Sequence, residues 1–114
     1  MALRMIEKES GGVTILELEG RIVLSEESNA FRERVKALLA GGKTKIVLNM
    51  ANVTYIDSAG LGTLVASHQS ARTQGATLKL AQLGAKFMEL LQVTKLLTVF
   101  DVYPSEAEAV QSFS

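Results

Sequence analysis

A chain of 114 residues is long enough for one hydrophobic core and too short for two, and its 12 basic and 12 acidic residues leave no global field to draw in nucleic acid or an anionic membrane. With no Cys, disulfides and thiol chemistry are excluded. The N-terminus, Met1-Ala2-Leu3-Arg4-Met5-Ile6-Glu7-Lys8, has no apolar run of signal-peptide length, and nothing approaches the roughly 20 apolar residues of a membrane span. The expectation is one soluble, cytoplasmic domain over residues 1–114.

Residues 3–9 and 13–19 flank Ser10-Gly11-Gly12, a hairpin turn signal. Val13-Thr14-Ile15-Leu16-Glu17-Leu18-Glu19 is β-branched and roughly alternating, which predicts a half-buried strand. Gly20-Arg21-Ile22-Val23-Leu24 continues it toward a loop. Ser25 reads as an N-cap, with Glu26 and Glu27 in a first turn where the helix dipole favours acids. Phe31, Val35, Leu38 and Leu39 share one helical face, and Gly41-Gly42 stops that helix.

Lys45-Ile46-Val47-Leu48-Asn49-Met50 is an apolar run without alternation, as expected of a strand covered on both faces in a parallel sheet. Ala51-Asn52-Val53-Thr54 separates it from Tyr55-Ile56-Asp57-Ser58-Ala59-Gly60-Leu61-Gly62. Leu61, Leu64 and Val65 open a helical period that should run to about Gln74 and end at Gly75. Thr77-Leu78-Lys79-Leu80 is the next predicted strand. Gly84 precedes a helix bearing Phe87, Met88, Leu90 and Leu91, and Leu97 to Val102 is the last predicted strand. Pro104 sits near a final helix start, with Ser105 and Glu108 placed for a capping box, and Gln111 to Ser114 are expected to fray. There is no internal repeat, low-complexity tract or linker. A hairpin followed by alternating helices and strands argues for an α/β layered domain with a mostly parallel sheet and about four helices.

The Asp57–Gly62 stretch is where polar chemistry is easiest. A loop that turns straight into a helix start offers free N–H groups and the positive end of the helix dipole, and Ser58 would stand at or next to the N-cap. The plain structural reading is that Asp57 and Ser58 cap the helix while Gly60 and Gly62 allow a tight turn and close packing. Capping does not preclude function, because a cap hydroxyl on an exposed loop is within reach of a kinase.

Catalytic readings fare worse. The single His, His68, lies ten residues after Ser58 in the same predicted helix, about 15 Å along its axis, where a base must be within about 3 Å of its nucleophile. It falls seven residues after Leu61 and so belongs to the apolar face or its edge. One His and scattered acids offer no metal-ligand spacing, and no Lys follows Gly60-Leu61-Gly62 as a phosphate-binding loop requires. A lone carboxylate such as Asp57 is ordinarily a cap or a solvated side chain. These residues by themselves describe a small binding domain with one anion-friendly turn, needing no cofactor.

Asp57-Ser58-Ala59-Gly60-Leu61-Gly62, after the apolar strand ending at Met50 and before Leu64-Val65, resembles the signature of anti-sigma factor antagonists, which are single STAS-domain proteins. The resemblance covers nearly the whole chain, including the Gly20-Arg21-Ile22 strand end and the segment from Gly84 to Phe100. It implies a partner-switching protein in transcription regulation. The unphosphorylated antagonist binds an anti-sigma factor and frees a sigma factor; that anti-sigma factor is commonly a serine kinase, and a phosphatase reverses the modification. By motif position, Ser58 is the implied phospho-acceptor, and Asp57, Ser58, Ala59, Gly60, Leu61 and Gly62 form the implied partner-binding face. No direct contact with nucleic acid is implied, and the oligomeric state is left open. Many relatives carry an acid two or three residues after the glycine matching Gly20; here those positions are Ile22 and Val23, with Glu26 and Glu27 nearby. Two other readings remain open: a STAS scaffold or lipid-transport-complex subunit that does not switch, and an enzyme or small-ligand binder with a pocket near Asp57.

Overall fold

A computed structural model of the chain describes residues 3–22 and 26–113. Ser25, expected to cap the first helix, lies outside those residues, as do Val23 and Ser114. The elements in order are β1 (Arg4–Ser10), β2 (Val13–Ile22), α1 (Glu26–Ala40), β3 (Lys45–Ile56), α2 (Ser58–Thr73), β4 (Thr77–Ala81), α3 (Ala85–Val93), a 3₁₀ turn (Leu96–Thr98), β5 (Val102–Tyr103) and α4 (Glu106–Gln111).

The five strands form one sheet in the order β1-β2-β3-β4-β5. Only the β1–β2 hairpin is antiparallel, closing at Ser10↔Val13; the other three pairs are parallel. One face packs under α1, α2 and α3 through Leu16, Leu18, Ile46, Leu48, Leu78 and Leu80. The residues between them face the other way, where Val13, Ile15, Val47 and Ala81 pack against Ala109 of α4. Both faces of β3 are therefore covered, and its apolar run has no period of two for that reason. The first half of β2 is covered in the same way, so Val13–Leu16 are buried throughout where a half-buried strand was expected.

Where α4 runs out, the second face is closed by polar groups. Lys8 Nζ lies 2.6 Å from Glu17 and 3.1 Å from Glu106, and Asn49 Nδ2 donates to Glu106 Oε1 at 2.8 Å. The C-terminal residues are anchored where fraying was expected. Lys79 Nζ donates to Ser112 Oγ at 2.7 Å and lies 4.2 Å from the centre of the Phe113 ring. Ser105 caps α4 as predicted, its Oγ accepting the Glu108 N–H at 3.1 Å.

Both predicted helix stops hold. Gly42 and Gly75 take φ of +84° and +77°, and the residue after each donates back to the helix, Lys43 to Leu38 O and Ala76 to Ala71 O. A side chain at either position would oppose that left-handed turn.

Two strand assignments change. β3 does not stop at Met50 but runs to Ile56, because the far end of β2 keeps pairing with it: Glu19↔Asn52, Gly20↔Val53, Arg21↔Tyr55 and Ile22↔Ile56. Two register shifts in that stretch, with Asn49 Oδ1 accepting the Ala51 N–H at 3.0 Å, accommodate residues of poor strand propensity. The predicted strand from Leu97 to Val102 is instead the 3₁₀ turn and a bend, with only Val102–Tyr103 in the sheet. Lys95 enters the turn at φ +62°, and Thr98 Oγ1 donates to Lys95 O at 3.1 Å, a local bond that competes with sheet pairing. Phe100 fills the core from this bend.

Candidate functional site

The sequence motif folds as the joint between β3 and α2. Asp57 has extended backbone angles (φ −97°, ψ −178°), and its Oδ1 accepts the Gly60 N–H at 2.7 Å, so Asp57 is the N-cap. Ser58 stands next to it as the first helical residue, and its side chain is exposed. The helix thus begins before Gly60 and not after it, which places both Gly60 and Gly62 in the opening turns of α2. Leu61 N–H closes the first turn on Asp57 O at 2.9 Å, and Thr63 Oγ1 donates to Ala59 O at 3.1 Å.

The two glycines have different surroundings. A Cβ on Gly60 would meet Ile22 O at 2.0 Å and Ile22 C at 2.8 Å, so this turn of α2 rests directly on the end of β2. Asp57 N–H donates to that same Ile22 oxygen at 3.3 Å. Around Gly62 a Cβ would meet nothing within 4 Å. Leu61 turns into the core, whereas Ser58 and Gly62 face outward and Ala59 is half-buried. The six motif residues therefore split into a supporting set (Asp57, Gly60, Leu61) and an outward set (Ser58, Ala59, Gly62).

Ile22 is one of the two positions where the resemblance leads to an acid being expected, and its setting makes an acid there costly: it is 0% exposed and its side chain belongs to the core. The side chains of Glu26 and Glu27, the acids nearby in the sequence, lie outside the described residues.

His68 is 6% exposed and packs edge-on against Phe100 with ring centres 5.1 Å apart, the packed histidine that the spacing implied. It and Ser58 are not brought together. Residues that sequence reasoning passed over lie beside the turn. Tyr55 is 53% exposed, and the Arg21 guanidinium stands 5.5 Å from its ring centre. Strand register alone makes that pair, since Arg21 and Tyr55 lie opposite each other on β2 and β3.

This geometry gives an exposed hydroxyl on the positive end of a 16-residue helix, beside a carboxylate already engaged as a cap. The helix end favours added negative charge, and the capping carboxylate holds the turn whether or not the hydroxyl is modified.

A model of the STAS domain matches residues 4–109. The chain belongs to the STAS domain family. The anti-sigma-B factor antagonist of Bacillus subtilis is 30% identical to this STAS domain over 80 residues, which make up 70% of this chain and 72% of that protein. A Thermotoga maritima protein described as an anti-sigma factor antagonist has a crystal structure that matches with a TM-score of 0.87 at 27% identity, covering 95% of this chain and 92% of that one. Bacillus SpoIIAA in its phosphorylated form matches with a TM-score of 0.75 at 17% identity, over 99% of this chain and 100% of that one. The last likeness is one of fold. Among the described residues, no helix is long and apolar enough to cross a membrane.

Proposed function

We propose that this STAS domain is an anti-sigma factor antagonist whose binding is switched at Ser58. With Ser58 unmodified, the outward face of the β3–α2 joint docks an anti-sigma factor with serine kinase activity, and a sigma factor is released to act in the cytoplasm. The partner transfers phosphate from ATP to the Ser58 hydroxyl, the complex loosens, and a phosphatase restores the free hydroxyl. The domain itself works by binding and not by catalysis.

The observation that supports this reading best is the position of Ser58, exposed as the first residue of α2 with Asp57 holding the turn beside it. Phosphorylation adds about −1.5 to −2 charges and three acceptor oxygens. Within the domain that charge meets a helix N-terminus, so the fold tolerates it. In a docked complex the same group adds bulk and a desolvation penalty next to the Asp57 carboxylate. A loss of about 3–5 kcal/mol lowers affinity by roughly two to four powers of ten, which makes a switch without refolding.

The test is to capture the partner from the source cell with the Ser58→Ala chain as bait, then to incubate the parent chain with that partner and ATP. Mass spectrometry should place the phosphate on Ser58. Ser67 is shielded in the core. Phosphate found mainly on Ser25, Ser28 or Ser67 would sink the proposal. A stable complex that ignores every substitution at Ser58 would favour the scaffold reading, and turnover of a small molecule without a protein partner would favour the enzyme.

A further inference from the structure

Next to the Ser58 turn, β3 leaves one side of its backbone unpaired. Its ladder with β4 ends at Asn49↔Ala81, while the strand continues to Ile56 against β2 alone. Among the described residues no strand pairs with the opposite edge of residues 50–56. Such an edge presents backbone donors and acceptors to which another extended chain can bond. The Ala51 N–H is already taken by Asn49 Oδ1, which leaves the stretch after it as the open part.

A groove of about 520 Å³ lies between this edge and the first half of α3. Its lining is mainly apolar: buried Met50 and Phe87, half-buried Val53, Ile56 and Leu90. Among the described residues, Lys86 is its one charged lining residue. The α3 end adds to that positive character, since Gly84 supplies no capping side chain and the first turn of α3 holds no acid. The groove also runs into the candidate site, because Ile56 lines it and lies two residues before Ser58.

We infer that the groove receives an extended, acidic and apolar segment of a partner protein. The segment adds its backbone to the open edge of β3, sets an apolar side chain against Met50, Phe87 and Leu90, and directs a carboxylate to Lys86. Each part of that description answers one feature: the free edge asks for an extended backbone, the lining for an apolar side chain, and Lys86 for an acid. Nucleic acid does not suit a surface with a single lysine. That the segment belongs to the same partner that reads Ser58 rests on the switch reading; the groove's chemistry does not.

The test uses the ¹⁵N-labelled full chain titrated with the capped peptide acetyl-Glu-Ile-Thr-Ile-amide. Saturable amide shifts confined to residues 50–56 and 84–90 are expected, with Kd on the order of 1 mM. The Gln counterpart of the peptide, and the Lys86→Glu chain, should each bind about fivefold more weakly. Shifts that do not saturate by about 10 mM, or that spread elsewhere, overturn the proposal. So does a concentration-dependent shift of the same amides without peptide, which would give the groove to a second copy of the chain. Failure here refutes the groove alone, and failure of phosphosite mapping refutes the switch alone.

Discussion

Gly60 and Gly62 are two positions apart in one helix, and the structure predicts opposite outcomes for the same substitution. Alanine at Gly60 puts a methyl 2.0 Å from the Ile22 carbonyl oxygen, about 1.4 Å inside ordinary contact, and the obstacle is backbone that cannot swing aside. Either α2 lifts from the end of β2 or Ile22 shifts, and the Asp57 N–H to Ile22 O bond is stretched in both cases. Overpacking of this kind costs about 1–3 kcal/mol, and a weakened buried hydrogen bond adds roughly 1 kcal/mol. The better helix propensity of alanine returns about 1 kcal/mol. The net expectation for Gly60→Ala is a loss of about 1–3 kcal/mol. At Gly62 the same methyl meets nothing, so only the propensity gain remains, up to about 1 kcal/mol of added stability. Urea unfolding of both variants at equal m-value reads this directly, with thermal midpoints moving in opposite directions by roughly 4 °C per kcal/mol. A Gly60→Ala chain as stable as the parent would refute the contact between α2 and the end of β2 as described, and a less stable Gly62→Ala chain would refute the open space around Gly62.

The other predictions follow from the same geometry. Because Asp57 carries the cap, Ser58→Ala should change stability by less than about 0.5 kcal/mol, and Ser58→Asp should gain a few tenths from the helix dipole. Calorimetric titration against the captured partner should nonetheless show tight binding for alanine and loss for aspartate, and equal affinities would remove charge at Ser58 as the switch. Gly62→Val, set in open space on the outward face, should weaken partner binding more than it lowers the melting temperature; a loss of binding accounted for by unfolding would overturn its role in docking. On the acid side, the hydrogen bond from Lys43 holds the Glu9 carboxyl below its ordinary value. A carboxyl lowered in the folded state stabilises it above the unfolded value and loses that contribution as pH falls through the folded one. Lys43→Met should therefore flatten the drop in urea midpoint from neutral pH to below about 4, and an unchanged slope would show that this pair does not contribute.

Much of the fold was legible because it is written in local chemistry. The hairpin turn at Gly11-Gly12, the helix stops at Gly42 and Gly75 and the Ser105 cap depend on backbone angles and short-range hydrogen bonds that a few neighbouring residues decide. The unbroken apolar run of β3 announced a strand covered on both faces, and the helix–strand alternation announced a parallel sheet. The misjudged segments were those whose conformation answers to distant residues. Ala51-Asn52 has poor strand propensity, yet β2 holds it in the sheet across two register shifts. Leu97 to Val102 has good strand propensity, yet Phe100 is drawn against His68 and only two residues reach β4.

The candidate site divides along the same line. From the order of residues alone came the acid, the hydroxyl and the glycines at the start of a helix, and with them the resemblance that singles out Ser58. Only tertiary structure decided that Gly60 exists for the Ile22 carbonyl while Gly62 faces open space, and that Arg21 stands over Tyr55. It also decided that β3 outruns β4 and leaves an edge beside α3. The physical reason is range. Caps and turns are settled within about four residues along the chain, whereas clearance, register and free edges are properties of segments that meet only after folding.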